Sequence, residues 1–347
     1  MKLSSSPALA AGLCVLLAMT GWAAETRLSA PVAADGAIVI EIATADDLDP
    51  VAAGKAAALA LKARMGETEL HAVLVSECFE EKELKQAALA GIASVFPKER
   101  IFGCATYGSF DRTGCHDLDS VTLLGIGGDG VGVSAALTPN LDSAALTMED
   151  DLELLTERLQ KGGRTLAQDI PKSAEDQLLI VLADAHSPKN QFLVEGLQQT
   201  LGPDFPITGG SANKNVGQTF VYYAGEMYED AAMALMLSGA FKVAMAGRQA
   251  QSNDAVISSA GEAAAEAKKN LGGEAVAALA FNCAGRKGRL DRLEDELAAI
   301  QDVIGAELPL FGCYCAGEVG PADSAEHTTD ALSSGVGWHI MFTLLGR

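Results

Sequence analysis

A lone acid between glycines is the residue of this sequence whose surroundings point most directly to chemistry. Residues 308–321 read LPLFGCYCAGEVGP, so that an apolar run is followed by Gly317, Glu318 and a Gly-Pro stop. This pattern predicts a buried strand and the loop at its end. Packing explains an acid poorly there, and Glu318 is therefore a candidate acceptor for a ligand ammonium group. The alternative is that it caps a helix N-terminus or a turn.

Arg286 is the candidate partner of this acid. It lies in the loop NCAGRKG, residues 282–288, shortly before a predicted helix. A guanidinium group binds a carboxylate through two parallel hydrogen bonds. Arg286 and Glu318 together therefore predict a clamp for a zwitterion such as an amino acid. The alternative is that the two side chains pair with each other.

Four cysteines at predicted strand ends form a second candidate site. Cys313 and Cys315 face the same side of an extended chain, and with Cys283 and Cys104 they offer soft ligands for zinc or copper. The sequence has no second C-x-C motif and no C-x-x-C motif, and disulfides or buried free thiols are the alternatives.

The sequence does not favour an enzyme. Nucleophilic catalysis needs a cysteine or serine beside a base that a third group orients, and no such arrangement emerges. Residues 127–130, GGDG, are not followed by the Lys-Ser/Thr of a phosphate-binding loop. Because they separate the apolar runs 121–126 and 131–137, they predict the turn of a β-hairpin instead.

The N-terminus has the pattern of an export signal. Lys2 precedes an apolar segment at 8–19, and small residues at 21 and 23 predict cleavage after Ala23. The apolar segment is too short for a membrane anchor, and the bulky Leu13 before Cys14 disfavours lipidation. We therefore expect a signal peptide at 1–23, a lead at 24–36, and export to a bacterial periplasm or beyond.

The charge excludes two classes of partner. The formal net charge is −21, and removal of residues 1–23 takes away one positive charge, Lys2, which leaves −22. Such a surface repels nucleic acids and anionic membranes. We therefore expect no nucleic-acid partner.

Three stretches repeat the order strand, loop, helix, strand, glycine loop. They span about 71–108, 178–213 and 276–321. In the first and third, a cysteine ends the first strand and Phe-Gly-Cys ends the second. A right-handed crossover brings the two strand ends to one sheet edge, so Cys78 is expected near Cys104 and Cys283 near Cys313. The predicted fold class is α/β, with repeated strand-helix-strand units that form two sheet-based halves, 37–238 and 239–347, with flanking helices.

The motifs resemble those of the FIST family, whose members carry an N-terminal and a C-terminal FIST domain. The similar segments are IFGCAT (101–106), ITGGSA (207–212), NCAGR (282–286) and LPLFG…AGEVGP (308–321). The sequence departs from the family at Asn213 and Lys214, where an acid is usual, and at Tyr107-Gly108-Ser109, where the first glycine loop lacks its glutamate.

This resemblance implies a sensory protein that binds a small, amino acid-like ligand in a cleft, with residues 37–238 as the FIST N-terminal domain and 239–347 as the FIST C-terminal domain. We expect no output domain in this chain, and therefore expect a membrane receptor or signalling partner to read the occupied state. The competing interpretation is an extracytoplasmic redox, metal or haem protein. Haem is implied by the resemblance, because some FIST relatives bind it, although this sequence has no C-x-x-C-H motif and no histidine stands out as an axial ligand. The residues expected to bind the ligand are Gly103, Thr106, Gly209, Gly210, Ser211, Arg286, Gly317 and Glu318.

Overall fold

A computed structural model describes residues 26–29, 32–33, 36–214, 218–323 and 330–347. This part of the chain is a mixed α/β protein with three mixed sheets and seven α-helices, which confirms the predicted class. The predicted signal peptide, 1–23, lies outside the described residues, as does much of the 24–36 lead. No helix within the described ranges is long and apolar enough to span a membrane.

Three units follow one another after a short strand, β1 (Thr26–Arg27). The first consists of β2 (Val39–Asp46), α1 (Pro50–Met65), β3 (Leu70–Glu77), α2 (Lys82–Ala93), β4 (Ile101–Ala105), β5 (Ser109–Asp111), β6 (Gly114–His116) and β7 (Ser120–Gly127). The second consists of β8 (Val131–Thr138), α3 (Leu152–Gln168), β9 (Asp176–Ala183), α4 (Asn190–Leu201), β10 (Ile207–Ser211), β11 (Val221–Tyr223), β12 (Glu226–Tyr228) and β13 (Ala232–Gly239). The third consists of β14 (Lys242–Gln249), α5 (Asn253–Leu271), β15 (Ala275–Cys283), α6 (Ala284–Lys287), α7 (Leu293–Ile304), β16 (Leu310–Cys315), β17 (Glu318–Gly320), β18 (Ser334–Val336) and β19 (His339–Gly346).

Each unit builds four strands of one sheet in the same order. The orders are β2-β7-β3-β4, β8-β13-β9-β10 and β14-β19-β15-β16, with one parallel pair in each. These parallel pairs are the strand-helix-strand repeats that the sequence predicts. The protein thus has three sheet-based units, while the limits 37–238 and 239–347 stay a prediction.

The units exchange hairpins in a closed cycle. The hairpin β5-β6 of the first unit pairs with β16 of the third, β11-β12 of the second pairs with β4 of the first, and β17-β18 of the third pairs with β10 of the second. Each unit extends the sheet of one neighbour with its hairpin, and its own sheet is extended by the hairpin of the other neighbour. The three sheets therefore enclose a common apolar core. The outer face of each sheet is covered by two long helices of its own unit.

The predicted β-hairpin across the turn at 127–130 is wrong. β7 belongs to the sheet of the first unit and β8 to that of the second, so they do not pair. The turn is instead fixed to the chain before β2, because the Gly130 N–H donates to the Ala37 carbonyl at 3.2 Å and the Ala37 N–H donates to Asp129 Oδ1 at 3.1 Å. It therefore serves as the crossing point between two units.

Glycines let the paired helices approach closely. A Cβ at Gly54 would overlap the Ala88 carbonyl oxygen between α1 and α2, and one at Gly163 would overlap the Leu193 carbonyl oxygen between α3 and α4. The sequence predicts a helical segment over 139–172 with 148–159 as its clearest part, and α3 runs from Leu152 to Gln168 within it. The Gly162-Gly163 pair does not end it, because close packing compensates for the conformational cost of glycine in a helix.

Candidate functional site

The glycine loops that follow the three parallel pairs meet at one place. The Tyr107 N–H donates to the Tyr314 carbonyl at 2.8 Å, the Ser211 N–H to the Gly317 carbonyl at 2.8 Å, and the Asn213 N–H to the Ala105 carbonyl at 2.9 Å. These bonds join the first unit to the third, the second to the third, and the second to the first. The predicted loops are therefore brought together.

Several predicted binding residues in these loops have internal contacts. Gly103 and Gly209 adopt φ angles of 149° and 148°, and a Cβ at either would overlap a carbonyl oxygen of the neighbouring strand. A Cβ at Gly210 would lie 2.5 Å from Cys315 Sγ. Close approach of neighbouring strands therefore explains why glycine occupies these three positions.

The two hydroxyl groups of the set also have partners. Thr106 Oγ1 lies 2.8 Å from Ser76 Oγ, and Ser211 Oγ donates to the Ala185 carbonyl at 2.7 Å. Both side chains are buried. They hold the loops in place and leave Glu318 as the predicted residue with unused bonding capacity.

Arg286 is fully buried and its guanidinium group is occupied. Its Nη2 donates to Glu296 Oε1 at 2.8 Å and its Nε to Asn282 Oδ1 at 2.9 Å. Further bonds at 3.0 Å reach Ser259 Oγ and the Val256 carbonyl. The carboxylate partner of Arg286 is thus Glu296 on α7, and the guanidinium joins α5, α6 and α7 to the end of β15.

Glu318 is the first residue of the exchanged hairpin β17-β18, and its side chain is 0% exposed. Its Oε2 accepts a hydrogen bond from the His339 N–H at 3.0 Å. Its Oε1 has no hydrogen-bond partner among the residues that the structure describes. Asn190 Nδ2 donates to the Glu318 carbonyl at 3.1 Å and so fixes the backbone, not the carboxyl group.

The electrostatic setting of Glu318 is unusual for a carboxyl group. Burial raises its pKa from 4.5 to about 8, although the His339 N–H, the Cys283 thiol and the charge of Arg286 lower it in part. The carboxyl group is thus mostly protonated at neutral pH and loses its proton as the pH rises through about 8.

Two of the four predicted cysteine ligands, Cys313 and Cys315, lie side by side. Cys313 Sγ and Cys315 Sγ are 3.7 Å apart and buried. The hydrogen bond with Cys313, together with burial, raises the pKa of Cys315, and burial raises that of Cys104. Cys283 lies opposite Cys315 in the parallel register, and Ser76 lies opposite Cys104, so each predicted cysteine pair is offset by two residues. The six cysteines of the described ranges are free. Within those ranges, no three His, Cys, Asp or Glu side chains are placed to hold a metal ion.

Sequence reasoning missed a buried cluster at the end of β3. Glu77 Oε1 lies 3.4 Å from Lys85 Nζ, and both side chains are 0% exposed. The Tyr222 hydroxyl also donates to Glu77 Oε1, the Phe79 N–H donates to Glu77 Oε2 at 2.9 Å, and Lys85 donates to the Phe79 carbonyl. The sequence predicts SECFEE, residues 76–81, as a loop or the start of a helix, and only the spacing of Lys85 on the inner face of α2 indicates its burial.

Two surface clefts formed by the described residues lie away from Glu318. A cleft of about 340 Å³ is lined by Val39, His71 and Gly128, and another of about 510 Å³ by Ile304 and Glu307. Neither is lined by Glu318. The candidate site is therefore a closed cluster at the junction of the three units.

The chain belongs to the FIST family. The FIST N domain model matches residues 70–265, and the FIST C domain model matches residues 219–321. FIST domains are sensory domains for small molecules, and the protein is of that class. No curated protein sequence matches the chain.

Solved structures with a similar arrangement are remote. A cyanuric acid hydrolase from A. caulinodans is 12% identical over 90% of this chain and 100% of that one, with a TM-score of 0.47. A second cyanuric acid hydrolase structure is 11% identical over 89% and 99%, also at 0.47. Phosphoribosylformylglycinamidine synthase II from Thermotoga maritima is 8% identical over 91% and 73%, at 0.29. Similarities of this size carry no argument about the chemistry of this chain.

Proposed function

We propose that this FIST protein is exported and senses a small ligand that carries an ammonium group, such as an amino acid. The observation that carries the proposal is Glu318 Oε1, a buried acceptor without a partner in the described part of the chain. A buried polar atom without a partner is costly. A ligand ammonium would supply the missing donor and a charge that favours the ionised carboxylate.

The proposal rests on Glu318 alone and not on a clamp with Arg286. The guanidinium group already makes four hydrogen bonds inside the third unit. The hydrogen bond from His339 to Glu318 follows directly on the turn at Gly337 and Trp338, and Trp338 has a φ of 63°, which is uncommon for a residue other than glycine. We expect ligand entry to require movement of this turn, and that movement is a signal that a membrane receptor can read.

The test is thermal unfolding of the mature protein with each amino acid and with its N-acetyl derivative, which lacks the ammonium group. We expect stabilisation by at least one amino acid, about 2.7 kcal/mol at a concentration 100 times the Kd, and none by its derivative. Glu318→Gln should abolish the effect. Glu226→Gln, which removes an exposed acid on β12, is the charge-matched control and should respond like the wild type.

Two results would contradict the proposal. One is equal stabilisation by an amino acid and its N-acetyl derivative, and the other is a Glu318→Gln protein that responds like the wild type. Export is tested separately, by the intact mass of the protein recovered from the periplasm of a bacterial host. The expected chain begins at Ala24, and a cytoplasmic protein that retains residues 1–23 would exclude export.

A further inference from the structure

A buried histidine near the start of β3 has a ring nitrogen without a partner. His71 is 3% exposed, and its Nε2 lies 2.8 Å from the Gly128 carbonyl oxygen. Because a carbonyl only accepts, Nε2 carries the proton, and Nδ1 of the neutral ring is an acceptor. Nδ1 has no hydrogen-bond partner among the residues that the structure describes. A buried acceptor without a donor costs free energy, and a ligand that brings an N–H group would remove this cost.

A carboxylate offers a second acceptor beside this nitrogen. Glu69 Oε1 lies 4.0 Å from His71 Nδ1, which is too far for a hydrogen bond. Arg100 Nη2 also stays 3.9 Å from this oxygen. An ammonium nitrogen that donates one N–H to each of two acceptors, at about 2.8 Å, holds them about 4–5 Å apart. The Glu69 side chain is 68% exposed, so it can turn outward to admit such a group.

Both acceptors line one surface cleft of about 340 Å³. Its remaining lining is apolar apart from one hydroxyl group and one further carboxylate, and consists of Ala37, Val39, Thr68, Gly128, Asp129 and Val131. None of these residues is a lysine or an arginine. The cleft therefore combines a wall suited to hydrocarbon with acceptors and negative charge suited to a cation.

The cleft lies where the first and second units cross. Val39 is the first residue of β2, and Val131 is the first residue of β8. His71 precedes Glu77, the last residue of β3, by six positions, which is about 20 Å of strand. The glycine loops meet at the carboxyl ends of the strands, so this cleft is separate from the site at Glu318.

We propose that this cleft binds a small primary amine with a hydrocarbon body. The ammonium group donates to His71 Nδ1 and to Glu69 Oε1, and Asp129 adds a second negative charge. The hydrocarbon body packs on Val39 and Val131. An occupant contacts two units at once, and the cleft is a second ligand site that the proposed function does not need.

The experiment is a calorimetric titration at pH 7 and about 0.15 M salt, which screens the charges of the exposed surface. The protein is the Glu318→Gln variant, which lacks the acid of the proposed function. The probes are benzylamine, benzyl alcohol, which has no charge, and benzyltrimethylammonium, which keeps the charge but has no N–H group. We expect benzylamine to bind at least about tenfold more tightly than either of the others, as a hydrogen bond from a charged donor allows.

Substitutions in the cleft assign the binding to its two acceptors. His71→Phe should weaken benzylamine binding about tenfold, because the acceptor is lost. His71→Gln should retain part of it, because an amide can donate to the Gly128 carbonyl and still present an acceptor. Glu69→Gln should weaken binding about threefold, as an exposed charge does. Glu67→Gln removes an exposed acid two residues away, outside the cleft, and should bind like the parent protein.

Equal affinity for benzylamine and benzyltrimethylammonium would overturn the inference, because attraction of any cation to an acidic surface would explain it. Absence of benzylamine binding would also overturn it and would indicate that His71 and Glu69 pair directly as imidazolium and carboxylate. If His71→Phe does not fold, the exposed Glu69→Gln variant decides, and unchanged affinity there contradicts the proposal. Benzylamine binding without stabilisation of the wild type by amino acids would contradict the proposed function alone.

Discussion

Cys78 and Cys283 hold the same place in two units of one fold, but the acids beside them differ. Cys78 directly follows β3 and Cys283 ends β15, and each lies three residues beyond the partner of the glycine in the second strand, Gly103 or Gly312. Beside Cys78, Glu77 is bonded to an ammonium, a phenol and a backbone N–H. Beside Cys283, Glu318 has one backbone donor and a free oxygen among the described residues.

The difference arises from where each acid comes from in the chain. Glu77 ends the strand of its own unit, next to Lys85 on the helix that follows. The third unit has a corresponding buried ion pair, Arg286–Glu296 at 2.8 Å. Glu318 is an additional acid, carried by the exchanged hairpin β17-β18. A carboxyl group without an ion-pair partner is poor for stability, and such perturbed groups cluster at functional sites.

The largest expected effect is a pH-dependent loss of stability caused by Glu318. Because burial raises its pKa from 4.5 to about 8, the folded state binds more protons than the unfolded state between these values. Stability relative to Glu318→Gln should therefore fall as the pH rises from about 4.5 to 8 and stay constant above that, by at most about 5 kcal/mol. Urea unfolding of both proteins from pH 5 to 9 measures this difference, with Glu226→Gln as a control expected to show no such trend. A stability difference that does not change with pH would show that burial does not raise the pKa of Glu318.

The next effect concerns the paired acid of the first unit. Lys85→Met leaves Glu77 buried without its cation, and removal of one partner of a buried pair costs about 3–5 kcal/mol. Lys98→Met is the matched control, because Lys98 and Glu226 are more than half exposed and such pairs contribute about 0–1 kcal/mol. The measurement is the urea midpoint at pH 7. A loss below about 1 kcal/mol for Lys85→Met would show that Lys85 does not stabilise the Glu77 carboxylate. The two buried acids, Glu77 and Glu318, would then not differ in ion-pair stabilisation.

The local parts of this architecture follow from the sequence. The apolar runs before Gly103, Gly209 and Gly312 predict the strands β4, β10 and β16, and the structure has them. The periodicity of apolar residues, the apolar runs and the turn residues are short-range signals. They therefore identify structural units of about 40 residues. The predicted fold class and the three strand-helix-strand repeats depend on nothing else.

The exchange of hairpins could not be predicted in the same way. A Gly-Asp-Gly turn between two apolar runs is a good hairpin signal, yet β7 and β8 lie in different sheets, because each finds its partners far away in sequence. The ion-pair partners of the buried charged residues could not be predicted from the sequence either. Arg286 suits a ligand carboxylate by its chemistry, but Glu296 lies ten residues further along and reaches it only once α7 has packed on the sheet.

The smallest effect compares the glycines that follow Phe102 and Phe311 in the two units. At Gly103, with φ 149°, a Cβ would overlap the rigid backbone of Val75, so that Gly103→Ala should cost about 3–5 kcal/mol. At Gly312 a Cβ would overlap the ring of Phe110, a side chain from the exchanged hairpin of the first unit. A side chain can shift where a backbone cannot, and Gly312→Ala should cost about 1–3 kcal/mol, as overpacked cores do. Urea unfolding of the two variants decides the order, and a larger loss for Gly312→Ala would indicate that the exchanged hairpin is fixed more rigidly than the parallel pair it joins.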